Sequence, residues 1–346
     1  MNIQTVKFGN TSFINVTSPG SLEIKYLRNN FNISSLHLDD YLNKTQVPKI
    51  EVIKDYTLIV LDFPFFNLPI GQNGNKIQKN DKSPIENLLT IPQATLSHVP
   101  LPQFPSSGNK LKRIFLTQVD FFIENDSLIV LHDGILAPIN EIFSFCQKTL
   151  HHREKYMGNG PVFLAYNIID ALVDASFPVI NEISSSIDRI DKELENRQSS
   201  KTIEDISITR RNIVVFHTMI KPMLPIFKLI EEGEYKQLNG KMQPYWSNIF
   251  DHLQKIWDRL EDNKELIEGI AESNESLLSF RNNEIVRFLT VITSIAFPFV
   301  IVNNLYSMNV AGLPFAQHPM IVWFLFGLIF LSGVVIISYF KFRDWI

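Results

Sequence analysis

The residues that could do chemistry lie near the C-terminal end of the chain, and they are amides and hydroxyls rather than charged or nucleophilic groups. Asn303-Asn304-Leu305-Tyr306-Ser307-Met308-Asn309 separates two apolar runs, Ile285 to Val302 and Pro319 to Phe340. Stepping one helical turn at a time from Asn283 gives Val286/Arg287, Thr290, Thr293, Phe297, Val300/Ile301 and Asn304 on one face. A row of amides and hydroxyls interrupted by Val286, Phe297 and Val300 suits a water-filled path whose apolar rings close by dewetting. Small polar residues also suit a helix–helix interface inside a membrane, so the face alone leaves both readings open.

Enzymatic chemistry finds no comparable constellation. His151-His152-Arg153-Glu154 lacks the spacing of a helical zinc site, and no His-Glu-x-x-His occurs. His132-Asp133 reads as a turn at a strand end, and no phosphate-binding glycine pattern is present. Cys146 is the single cysteine, which excludes a disulfide framework and a thiolate metal cluster and fits a reducing compartment. The net charge of −4 gives no basic field for nucleic acid. The expectation is a protein with no enzymatic activity, no resident cofactor and no nucleic-acid partner.

The elements that must position the polar face are two membrane spans. Pro319 to Phe340 is uncharged over 22 residues, enough to cross a hydrocarbon core of about 30 Å. Trp323 and Tyr339 sit near its ends, as interface anchors do. The first span carries Arg287 at its start and Pro298 midway; its polar groups belong on a face turned away from lipid. Arg281 and Arg287 flank the start of the first span and Lys341 and Arg343 follow the second, while the connector 307–318 has no charged residue. The positive-inside rule then predicts a multi-pass protein of the plasma (inner) membrane, with both termini cytoplasmic and the connector external. The N-terminus has no apolar core behind a basic start, so no secretory signal is expected.

Upstream the chain divides by pattern. Residues 1–155 read as a mixed α/β domain, with strands expected at Ser12–Val16, Ile50–Ile53, Tyr56–Phe63, Arg113–Ile123 and Ser127–His132. Helices are expected at Ser34–Leu42 and Ile139–Leu150, and 67–110 reads as a long loop rich in Pro, Asn, Gly and Ser. Residues 156–282 read as a helical stalk: one helix from Pro161 onward, a second from Lys201 to Ile230 disturbed near Pro222 and Pro225, and a third from Pro244. No breaker separates Tyr245 from Phe297, so the third helix is expected to run on into the first span, with partner helices from other subunits covering its apolar stripe. Residues 283–346 form the transmembrane hairpin. Between 181 and 275 there are 18 acidic and 13 basic residues, which suits a solvated face or a field that gathers cations.

With these residues in place the chain resembles the CorA family of magnesium transporters. The family's Tyr-Gly-Met-Asn signature at the outer end of the first span stands here as Tyr306-Ser307-Met308-Asn309. Asn283-Glu284-Ile285-Val286-Arg287-Phe288-Leu289-Thr290 before it, Phe297-Pro298-Phe299 midway and Leu313-Pro314-Phe315 after it are also similar. The resemblance implies an α+β cytoplasmic domain, long stalk helices and two C-terminal transmembrane helices in a funnel-shaped homopentamer embedded in the bilayer. It implies passive, potential-driven uptake of hydrated Mg²⁺, with Co²⁺ and Ni²⁺ as lesser substrates. Asn283, Val286, Leu289, Thr290, Thr293, Phe297, Val300 and Asn304 would line the pore, and Tyr306 to Asn309 would form the selectivity loop.

Three departures carry consequences. Ser307 replaces the signature glycine; if that position needs positive φ, serine costs about 1 kcal/mol or more. The connector lacks an acidic residue, leaving Gln317 and His318 as the nearest polar groups. The family's Asp-x-Tyr-Asp-His stalk segment, whose first Asp helps to bind a regulatory Mg²⁺, stands here as Asn248-Ile249-Phe250-Asp251-His252. Asn248 keeps an oxygen without the charge, which predicts blunted closure at high internal Mg²⁺ unless Asp251 substitutes. A zinc or other divalent-cation transporter of the same superfamily, and a non-conducting membrane sensor, are the alternative readings.

Overall fold

The computed structural model describes residues 2–43, 47–66, 111–196, 200–308 and 319–342. The expected loop 67–110 lies outside them. The chain forms two compact units, Met1–Glu268 and Gly269–Ile346.

The first unit is built on six strands: β1 (Ile3–Phe8), β2 (Thr11–Thr17), β3 (Lys49–Val52), β4 (Thr57–Phe66), β5 (Ile114–Ile123) and β6 (Ser127–His132). Their order is β1-β2-β6-β5-β4-β3, with β2 and β6 parallel and every other pair antiparallel. β6 is buried along its whole length and β4 and β5 along most of theirs, because helices cover both faces of the sheet. On one face α1 (Ser21–Asn30) and α2 (Ser35–Asn43) contribute Ile24, Leu27, Leu38 and Tyr41 to a core with Val16, Leu58, Val60, Phe122 and Leu131. The other face receives α3 (Ala137–Lys148), α4 (Leu150–Met157), α5 (Pro161–Asp174), α6 (Phe177–Asn196) and α7 (Ser200–Glu231), which pack on the strands or on one another. Phe13 of β2 meets Phe143 of α3 edge to face at 5.1 Å.

The expected strands and the helix near Ser34 form within a few residues of their expected bounds. β1, α1 and α4 were not foreseen, and the one helix expected from Pro161 onward is two, α5 and α6. β1 is an edge strand with one buried residue, Val6, and so shows little alternation. α1 starts without a Ser, Thr, Asp or Asn cap; instead Glu23 reaches back and accepts from Gly20 N–H at 3.0 Å and from Asn2 N–H at 3.1 Å. The compact unit also extends well past residue 155, because the helices that follow cover the sheet.

α7 runs unbroken through Pro222 and Pro225, contrary to the expected disturbance. Met219, Ile220, Met223, Phe227 and Ile230 are fully or almost fully buried on either side, and this packing offsets the hydrogen bonds the prolines cannot make. After a short 3₁₀ turn, α8 runs from Gln243 to Ser307 in a single helix, as its unbroken pattern predicts. Its first turns belong to the α/β unit. Trp246 is fully buried against Tyr166 and Phe227 and donates to Leu238 O at 2.8 Å. Farther along, Asn263 exchanges hydrogen bonds with Ser184 at 2.9 and 3.0 Å.

Among the described residues three helical stretches are long and apolar enough to cross a membrane. Burial separates them. The apolar windows within Pro161–Leu194 and Lys201–Glu231 are 56% and 44% buried, their apolar faces being used in packing. The window in Gly240–Leu305 has mean hydropathy 2.2 and is 6% buried. The second unit comprises the end of α8 and α9 (Pro319–Phe342).

Candidate functional site

Within the second unit one side of α8 is covered and the other is bare. The covered stripe is Val291, Ser294, Ile295, Pro298, Phe299 and Val302. The matching stripe on α9 is Phe326, Ile329, Gly333, Ile336 and Phe340, spaced three and four residues apart. Gly333 is buried where the helices meet, and a Cβ there would lie 3.7 Å from Ile295 Cγ2.

Asn283, Val286, Leu289, Thr290, Thr293, Phe297, Val300 and Asn304 are all exposed. At 3.6 residues per turn the centre of this set lies roughly 150° around α8 from the covered stripe. The face written from sequence is therefore the one α9 leaves uncovered. Its hydroxyls are constrained: Thr290 Oγ1 donates to Val286 O at 2.7 Å, and Thr293 Oγ1 lies 2.9 Å from Leu289 O and 3.0 Å from Thr290 O. With each proton committed to the helix, these oxygens offer lone pairs outward. The face thus accepts hydrogen bonds, which is what the water protons around a hydrated cation require.

Ser307 is the last residue of α8 and donates to Asn303 O at 2.6 Å. Its φ is not positive; Ser18 is the one such non-glycine among the described residues. The strain considered for a serine in place of glycine does not arise, because helical geometry suits serine. Met308 is exposed. Asn309, Gln317 and His318 lie outside the described residues, as does the Tyr306 side chain.

In the first unit, Asn248 Nδ2 donates to Asp170 Oδ1 on α5 at 3.2 Å. One turn along each helix, His252 Nδ1 lies 3.2 Å from Asp174 Oδ1, off the line of a hydrogen bond. Burial, and then the neighbouring Asp174, hold the Asp170 carboxyl above the usual carboxylate range. The Tyr166 hydroxyl beside it is pushed up to about 12, chiefly by burial. Asp251 is exposed and is not joined to this group by any hydrogen bond or ion pair among the described residues. No set of three His, Cys, Asp or Glu among those residues is placed to hold a metal ion. Asp170 and Asp174 were not singled out from sequence; their spacing of four on a helix was the available signal.

The fold matches solved structures of ion transporters. Against the complete structure of the CorA magnesium transporter from Methanocaldococcus jannaschii the TM-score is 0.70 at 18% identity, covering 99% of this chain and 94% of that one. Against the full-length CmaX protein it is 0.63 at 17% identity, covering 97% and 88%. In sequence the chain is 23% identical over 323 residues to the cobalt/magnesium transport protein CorA of Thermotoga maritima, covering 91% of this chain and 78% of that protein. The family described as CorA-like Mg²⁺ transporter protein matches residues 75–341. The chain belongs to that family, and its class is that of membrane transporters for divalent cations.

Proposed function

We propose that the chain is a Mg²⁺ channel that works as a homopentamer, with the bare face of α8 lining the pore. The observation that carries this reading is the position of that face. It is exposed and turned away from α9, and its amides and hydroxyls, which lipid tolerates poorly, favour other subunits or water against it. Mg²⁺ gives up its waters reluctantly. Asn283 and Asn304 amide oxygens and the committed Thr290 and Thr293 hydroxyls can accept from those waters without stripping them. A carboxylate ring in the same place would bind more tightly and slow release. Val286, Phe297 and Val300 would form the apolar gates. Asn309 would stand at the external entrance, with both termini cytoplasmic as the basic flanks require. A divalent ion moving down 100 mV gains about 4.6 kcal/mol, so transport needs no fuel. Co²⁺ and Ni²⁺ would follow as secondary substrates.

The test is growth rescue of a host deficient in Mg²⁺ uptake, with flux of Mg²⁺ and Zn²⁺ into liposomes carrying the purified chain. Rescue and Mg²⁺ flux, both lost in Asn309→Ala and Asn304→Ala, are the expected result. Zn²⁺ flux without Mg²⁺ flux would replace the ion in this reading. Correct insertion with no flux of either would replace the channel by a sensor.

A further inference from the structure

Two carboxyl groups of the α/β unit share one face of the sheet, one fully buried and the other half-buried. Asp120 lies on β5, an inner strand, and is fully buried. Its Oδ1 accepts from Gln118 Nε2 at 2.7 Å, and its Oδ2 has no hydrogen-bond partner. Asp62 lies on the neighbouring β4. The register pairs Asp62 with Gln118 and Val60 with Asp120, so the two carboxyls are diagonal neighbours on one face of the sheet. This is the face that α1 and α2 close with Tyr41, Leu38 and Leu27. A fully buried carboxylate with one donor, beside a second carboxyl, carries a desolvation cost that ionisation cannot recover.

Among the described residues no cation pairs with either carboxyl. Lys49 on β3 is the nearest, and its Nζ pairs with Glu51 Oε1 at 2.5 Å. Asp40 on α2 adds negative charge, and Tyr41 donates to Asp133 Oδ1 at 3.3 Å. On α1, Glu23 caps its own helix, Arg28 pairs with Asp39 at 3.0 Å, and Lys25 is exposed. From β6 the residue opposite Asp120 is Leu131. The described residues hold no set of three ligands for a metal ion.

We infer that half-buried Asp62 and fully buried Asp120 form a proton-holding pair, which loosens the sheet of the α/β unit when the surrounding pH rises and the pair ionises. Burial raises Asp120 to about 7 and Asp62 to about 6, which places the change near neutrality. The native state then keeps a proton on Asp120 between about pH 4 and pH 7 that the unfolded chain has released. The stability held by that proton is complete below about pH 4 and is lost as pH rises through about 7.

The experiment is hydrogen exchange of the β4 and β5 amides in the full chain in detergent, comparing wild type with Asp120→Asn. Asparagine imitates the protonated acid and keeps an acceptor for Gln118. The ratio of wild-type to variant opening constants should rise about tenfold per pH unit from about pH 5 to pH 7 and then level off. Other titrating groups, His132 among them, occur in both proteins and cancel. A pH-independent ratio overturns the inference. So does recovery of wild-type protection by Mg²⁺ above pH 7, since the pair would then take a cation rather than a proton. Infrared titration needs no variant: wild type should show a carboxylic-acid C=O band at about pH 6 that vanishes by about pH 8. Its absence at pH 6 also overturns the inference.

Discussion

Asn248→Asp tests the blunted Mg²⁺-dependent closure expected from the sequence, at a contact the structure defines. In the wild type the Asn248 amide donates to Asp170 Oδ1 at 3.2 Å. Aspartate removes that hydrogen bond, worth about 1 kcal/mol, and brings a second negative charge against Asp170. Two like charges about 4 Å apart at an effective dielectric near 20 repel by about 4 kcal/mol. Asn248 is exposed, so water and salt leave about 1 kcal/mol of this. The variant should be less stable by about 2 kcal/mol in metal-free buffer. A divalent cation between the two carboxylates reverses the sign, and at a hundred times its Kd it restores about 2.7 kcal/mol. Thermal unfolding of the full chain in detergent, with chelator and then with Mg²⁺, reads both effects. Asn248→Asp should melt several degrees below wild type in chelator and gain more from Mg²⁺. In liposomes it should close at lower internal Mg²⁺ than wild type. Equal melting in chelator, or an equal Mg²⁺ gain in wild type, refutes the idea that the amide occupies the place of a bound cation.

Trp246→Ala should cost about 3–5 kcal/mol in chemical unfolding, since it empties a fully buried site and orphans the Leu238 carbonyl. At the helix contact in the second unit, Gly333→Ala should leave flux near wild type, because the new Cβ meets Ile295 at an ordinary 3.7 Å. Gly333→Leu should separate the helices and reduce assembled protein on native gels. Thr293→Val keeps the shape of the bare face and removes an acceptor; it should lower Mg²⁺ flux several-fold without changing melting. His132 is buried against Asn15 and held down to about 4 by desolvation, so it is neutral in the fold. That costs nothing above its unfolded value near 6.5, and about 3 kcal/mol is lost as pH falls toward 4. Urea unfolding of wild type should fall by that amount relative to His132→Gln between pH 7 and 4.

Where the fold was legible in sequence, pattern and burial coincide. β5 and β6 were readable because their apolar runs flank a turn at Glu124-Asn125-Asp126, closed by Glu124 N–H on Ser127 O. The bare face of α8 was readable because a 3.6-residue step selects the same residues whether the other side meets lipid or α9. α1 was missed because its cap is a glycine helped by Glu23, and β1 because an edge strand need not alternate strongly. Asp170 could not be assigned to Asn248 from sequence, since the two are 78 residues apart and only packing of α5 on α8 joins them. The Asp62–Asp120 pair was equally hidden: its meaning depends on strand register.

The parallel pairing of β2 with β6 has a consequence for biosynthesis. Ser12 pairs with Ser127 across the middle of the sheet, so the N-terminal hairpin has no inner neighbour until the ribosome has delivered β6. At synthesis rates of about 5–20 residues per second, that wait is on the order of ten seconds. During it β2 presents an open edge of Phe13, Ile14 and Val16, the kind of edge that other chains can pair with. Any truncation ending before Ser127 makes that vulnerable interval permanent.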